Sequence, residues 1–211
     1  MALIAKASGG SIAPQLEEGV YTGVCTRLID LGEQFNEKFG KINHRVKIGW
    51  DIAGEKIQLT DGTEVNRTMH KEYTLSLHDR SGLRRDLQSW RGKSFTPEEL
   101  DGFDLKQILG APCQIQIIHN DKGYADISAI MAMPKGMPKP LGEYPQIYFD
   151  LDDSVTFSEY EGLPDWIKDS IKNAVKLSET QFGKYLSEKG EIVPYTDGYT
   201  DVDANEDDLP F

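Results

Sequence analysis

Asn43-His44-Arg45-Val46-Lys47-Ile48-Gly49-Trp50-Asp51-Ile52 alternates with a period of two. Val46, Ile48, Trp50 and Ile52 fall on one face, and Arg45 and Lys47 on the other. Alternation among β-branched and aromatic residues marks a strand with one buried and one wet face, the pattern of an antiparallel sheet. The wet face of this strand is basic.

Outward from it, Val20–Leu31 reads as a preceding strand. There Val20, Thr22, Val24, Thr26 and Leu28 alternate with Tyr21, Cys25, Arg27 and Ile29. Gly32–Lys41 reads as the connecting loop. Lys56–Leu59 and Thr63–Met69 flank Asp61-Gly62, a hairpin turn signal. Lys71–Leu77 alternates again. At Ser81–Arg91 the period changes to helical, with Leu83, Leu87 and Trp90 on one stripe and Asp79 or Ser81 as the cap. Thr96-Pro97-Glu98-Glu99 is a second helix start, with a Thr cap, Pro at the first position and Glu three residues on. A short helix around Leu105–Leu109 ends at Gly110. Cys113–His119 and Tyr124–Met133 form a hairpin around Asn120–Gly123.

Five core strands with a helix between the third and fourth is the order of an OB fold. The expected fold is mainly β with helical additions: an OB-like five-stranded antiparallel barrel over residues 15–133, a C-terminal helix and a disordered acidic tail. A plain β-sandwich has the same strand signals. Residues 1–14 read as a loose arm. Residues 134–145 carry four prolines and read as a semi-extended linker. In 146–188, Gln146–Phe157 adds a strand or clamps back on the barrel. A helix from Leu163-Pro164-Asp165-Trp166 to Leu186 follows, with Trp166, Ile167, Ile171, Val175 and Phe182 on its apolar side. That helix can dock on the body or on a second subunit, so a homo-oligomer is compatible with the chain. Residues 189–211 form the tail.

The formal charge of the 211 residues is −12, but it is segregated. Met1–Gly142 holds 18 basic and 18 acidic residues, Glu143–Phe211 holds 5 and 17, and Lys38–Lys93 holds 12 and 7. A locally basic body thus carries an acidic C-terminal third, an asymmetry that keeps nucleic acid among the partners. Cys25 and Cys113, the only cysteines, form neither a disulfide framework nor a zinc spacing, and read as half-buried strand residues in a reducing cytoplasm. His44, His70, His78 and His119 are scattered. No signal peptide or transmembrane run is apparent. No metal or other cofactor is expected. Glu98-Glu99 and Asp152-Asp153 read as a helix first turn and an acidic loop, and no P-loop or nucleophile motif accompanies them.

The chain ends Thr200-Asp201-Val202-Asp203-Ala204-Asn205-Glu206-Asp207-Asp208-Leu209-Pro210-Phe211, with no basic residue after Lys189. Such a composition cannot bury a core. Its tip combines an aromatic ring with the chain's own carboxylate, a pair suited to a pocket with an apolar floor and a cationic rim. A merely solubilising acidic tail is the plainer reading.

Asp207-Asp208-Leu209-Pro210-Phe211 resembles the tip of bacterial single-stranded DNA-binding proteins, which end in an acidic stretch followed by Asp-Asp-Ile-Pro-Phe; only Leu209 departs from it. In organisation the chain looks more like the single-stranded DNA-binding proteins of tailed phages, which join a divergent OB-type domain to a host-like acidic tail. The resemblance implies a tip, Asp207 to Phe211, that docks on replication, recombination and repair proteins and competes with DNA for the protein's own groove. It also implies action in the cytoplasm, that of the host if the chain is phage-encoded.

Sequence-independent binding of single strands needs a cationic track for phosphates and flat side chains for bases. Phe35, Lys38, Phe39, Lys41, Arg45 and Lys47 supply both types in one stretch. Phe35 and Phe39 are the stacking candidates, while Trp50 and Tyr73 share faces with core residues. Arg84, Arg85, Arg91 and Lys93 form a second basic cluster, with Arg84 and Arg91 on one helix face. Tyr124 is a lesser stacking candidate. The expected function is non-enzymatic, sequence-independent binding of single-stranded DNA with partner recruitment through the tip. The alternative is an interaction module or DNA mimic that inhibits a host nucleic-acid-processing protein. An enzyme of nucleic-acid metabolism would need a site that the sequence does not display.

Overall fold

The computed structural model describes residues 15–58, 61–140 and 145–192. The arm 1–14, Leu59 and Thr60, linker residues 141–144 and the tail from 193, with its tip Asp207–Phe211, lie outside the described residues.

The chain is mainly β. Six strands form an open sheet: β1 (Gly19–Asn36), β2 (Lys41–Gln58), β3 (Glu64–Thr74), β4 (Pro112–His119), β5 (Ala125–Met131) and β6 (Ile147–Phe149). The order is β3-β2-β1-β4-β5, all antiparallel, and β6 pairs with β1 in parallel. Four α-helices are described: α1 (Gly82–Arg91), α2 (Pro97–Asp101), α3 (Asp165–Lys172) and α4 (Gln181–Glu188). The expected barrel needs a ladder between β3 and β5; among the described residues these two remain the edges. They are linked through a side chain, Lys71 Nζ donating to the Ile127 carbonyl at 3.2 Å.

β1 organises the molecule. Its first third pairs with β4, its later part with β2, and Arg27–Ile29 also with β6. The expected alternation along it is broken by register shifts at Cys25/Arg27 and Asp30/Gly32. A bulge inserts a residue and so swaps which parity faces the core. Cys25 and Leu28 therefore enter one core, while Ile29 and Leu31 enter another on the opposite face. Gly32 has φ +69°, and Leu151 would lie 2.8 Å from a Cβ there, so both conformation and space favour glycine.

The first core holds Val46, Ile48, Trp50 and Ile52 of β2 against the Leu83, Leu87 and Trp90 stripe of α1, as the two periodicities predict. Trp50 and Trp90 meet with ring centroids 5.9 Å apart, and Trp90 Nε1 donates to the Pro112 carbonyl. Ser81 caps α1 by accepting from the Leu83 N–H. Thr96 and Glu99 close the capping box of α2. Cys25 and Cys113 are fully buried rather than half-buried. Burial pushes the Cys25 thiol up to about 12.

Three sequence expectations need correction. Gly32–Lys41 is not a loop: β1 and β2 pair out to Asn36 and Lys41, leaving a tight turn between. The segments at Lys56 and Thr63 are not separate strands but the ends of β2 and β3, which run through a register shift between Asp51 and Lys56. The single helix from Leu163 to Leu186 is two helices. Asn173 ends α3, Val175 bonds back to Glu33 of β1, and Lys176 adopts φ 57° before α4 restarts at a Thr180 cap. The break lets Ile167, Ile171, Phe182 and Leu186 reach one core with Phe149 and Tyr160, beyond the reach of one straight stripe.

Candidate nucleic-acid interface

The β1–β2 ribbon ends in a turn that exposes aromatic and basic groups together. Phe39 is 65% and Phe35 42% exposed, and Lys38 Nζ lies 5.4 Å from the Phe39 ring centroid. Lys41 and Ile42 beside them are exposed. Two paired strands with Asn36 facing Lys41 hold these rings out from the body.

Lys41, Arg45 and Lys47 continue along one face of β2, because alternate residues share a face. On this outer face Arg45 Nε donates to Glu72 of β3 at 3.0 Å, and Arg45 Nη1 to Thr74 Oγ1 at 2.9 Å. Lys47 Nζ lies 3.2 Å from the same Glu72 carboxylate. Burial opposes the Glu72 charge, but Lys47 and Arg45 override it and hold the carboxyl below its ordinary range. These two cations are thus already paired in the fold, not the free phosphate contacts the alternation suggests. The cross-strand register, Lys47 opposite Glu72, brings them together, and it was beyond reach of either strand read alone.

Farther down this face Arg27, Thr26 and Thr68 converge on Asp51, at 2.5 Å, 3.1 Å and 2.7 Å. His70 stacks close over Gly49, where a Cβ would meet its ring at 2.8 Å. Burial, then the neighbouring Arg27 and Lys47, pushes His70 down to about 4, so it is neutral at physiological pH. Trp166 reaches the same place from α3. Lys47 Nζ sits 4.6 Å from its ring centroid, and His70 meets it edge-on at 5.6 Å. Trp166 is 49% exposed, not the core residue expected from its helical stripe.

A cleft of about 430 Å³ lies around the corner, between the β3 edge and the start of α1. Arg45, Lys71, His78, Arg80 and Arg85 line it with the hydroxyls of Thr74, Ser76 and Ser81. Arg85 lies here, 71% exposed at its side chain and bonded to Asp86. The other members of the second basic cluster are committed elsewhere. Arg84 donates to the Leu77 carbonyl and to Gln88. Arg91 pairs with Glu99 and sits over Phe95 and Phe103, with centroids at 4.4 Å and 4.9 Å, as a structural clamp. Lys93 is exposed and 3.5 Å from Glu99. Arg80 went unnoticed in the sequence and His78 read only as one of four scattered histidines, since their value comes from the cleft.

Tyr124 is 61% exposed but lies at the β4–β5 turn, at the far end of β1 from the ribbon tip. Among the described residues no group of His, Cys, Asp and Glu could hold a metal ion, and no helix is long and apolar enough to cross a membrane. No family model matches the chain, and no curated protein is significantly similar to it.

Proposed function

We propose that this chain is a non-enzymatic, sequence-independent single-stranded DNA-binding protein. The observation that carries the reading is the ribbon tip, where Phe35 and Phe39 stand exposed among Lys38 and Lys41 and lead onto Arg45. Rings for bases and cations for phosphates on one projecting element are what such binding requires. The strand order, with α1 between β3 and β4 and Lys71 spanning the two edges, supports an OB-like architecture. The acidic tip Asp207–Phe211 then recruits replication, recombination or repair proteins and competes with DNA for the basic surface.

Fluorescence anisotropy with a labelled dT oligomer tests this, comparing the full chain with one ending at Tyr199 across a salt series. Both forms are expected to bind, the shortened one more tightly. Affinity should fall with salt at a log–log slope of about −0.7 per phosphate contacted. No binding by either form at low salt would sink the proposal. That outcome favours the DNA-mimic reading, which rests on the pairing of Arg45, Lys47 and Arg91 with the body's own carboxylates. In that case the acidic third should bind the basic groove of a nucleic-acid enzyme and displace its DNA.

A further inference from the structure

We propose that Trp166, Arg45 and Lys47 form a nucleotide subsite, in which the C-terminal extension supplies the stacking surface for a base and β2 supplies the phosphate contacts. The inference rests on the single-stranded DNA reading and extends the binding face from the ribbon tip to α3. Trp50 and Trp90 are buried, whereas Trp166 leaves about half its surface in water. Its helix is firmly seated, since the next residue, Ile167, and Ile171 are fully buried in the second core. Lys47 Nζ lies over one face of the indole and His70 meets it at an interplanar angle of 82°, which leaves the opposite, solvent-facing side for a base. A large aromatic surface held rigid and wet beside cations is costly for folding and suited to stacking.

The cations lie in a line toward it. Lys41, Arg45 and Lys47 share the outer face of β2, and residues two apart are spaced by about 7 Å, close to the repeat of an extended single strand. Glu72 bridges Arg45 Nε at 3.0 Å and Lys47 Nζ at 3.2 Å, the way a phosphate diester would. Its carboxylate is partly exposed, so an incoming phosphate can replace it by ion exchange. In the free protein Glu72 keeps the two cations oriented, and on binding it becomes the competitor.

The experiment follows tryptophan emission and anisotropy together while a dT oligomer is titrated into the full-length protein. Trp166 is the solvent-facing indole of the three, so binding should quench it. Trp166→Phe keeps a ring and is expected to bind nearly as the parent does while losing that quench. Trp166→Ala should bind about 5- to 150-fold more weakly, the range for one lost base stack. Glu72→Gln should bind more tightly than the parent. Binding with unchanged emission, and with Trp166→Ala as tight as the parent, overturns the subsite but leaves the DNA reading standing. Absence of any anisotropy change at low salt overturns both.

Discussion

The two faces of β1 carry two cores of different construction. On one face the sheet closes over α1 through long alternating strands, with Trp50 and Trp90 at the centre. On the other, short helices hang on Ile29 and Leu31 through a cluster of rings: Phe149, Tyr160 and Phe182 meet at 4.8–5.9 Å between centroids. The first core is continuous with strand pairing. The second is held by side chains, the short β6 ladder and a few tethers, such as Gln34 Nε2 to the Ser170 carbonyl and Val175 N–H to the Glu33 carbonyl. One bulged strand thus gives two cores a common wall but unequal dependence on it. The sheet is therefore expected to outlast the C-terminal helices in denaturant, and not the reverse.

The largest effect that would break this asymmetry comes from Trp50→Ala. Truncating a fully buried Trp costs about 3–5 kcal/mol, and both cores should unfold together in urea. Phe182→Ala should cost a similar amount locally but release the extension first. Urea denaturation read by far-UV circular dichroism and by Trp166 emission would then separate into two transitions. A single coincident transition in Phe182→Ala would show the two cores to be one cooperative unit.

His70 sharpens the comparison, because it sits at the seam where Trp166 lands on the sheet. Its folded value, near 4, lies below the ordinary histidine value near 6.5, so the unfolded chain takes up the proton first. Its contribution is therefore complete above about pH 6.5 and is lost as pH falls toward 4, on the order of 3 kcal/mol at most. His44 runs the opposite way. The Asp30 hydrogen bond raises it, and its contribution fades as pH rises through that raised value. Urea midpoints from pH 7.5 to 4.5, compared with His70→Gln, should show a smaller loss of stability toward acid in the variant than in the parent.

A smaller change tests the sheet side alone. Thr96→Ala removes the capping box of α2 and should cost about 1 kcal/mol, lowering the main transition while leaving any extension transition in place. Smallest of all is Phe39→Ala. With its ring mostly in water, thermal stability should stay within about 0.5 kcal/mol of the parent, while dT affinity drops. An unchanged affinity would remove the ribbon tip from the interface.

Much of this was legible locally. The alternation of Val46, Ile48, Trp50 and Ile52, the Leu83/Leu87/Trp90 stripe, and the Thr96–Glu99 box depend on residues two to four apart, and all three are found as read. The tip with Phe35 and Phe39 was legible too, although Phe35 lies in the paired end of β1 and only the turn that holds Phe39 remains of the expected loop. The partners of the candidate cations were not. Glu72 reaches Arg45 and Lys47 only through the β2–β3 register, and Arg91 finds Phe103 only after α2 turns the chain back. Arg84 looked like a groove residue because helical spacing says nothing of the Leu77 carbonyl beside it.

Periodicity, caps and charge segregation are short-range properties, and the sequence by itself determined from them a mainly β body, a central helix and an acidic C-terminal third. Tertiary structure alone decided that β1 would serve two cores, that one expected helix would break at Asn173, and that Trp166 would leave the core for the basic face. Each of those outcomes turns on a bulge or a contact between residues far apart in the chain. A one-residue slip in strand register reverses every side chain beyond it, and no local pattern reports where such a slip occurs.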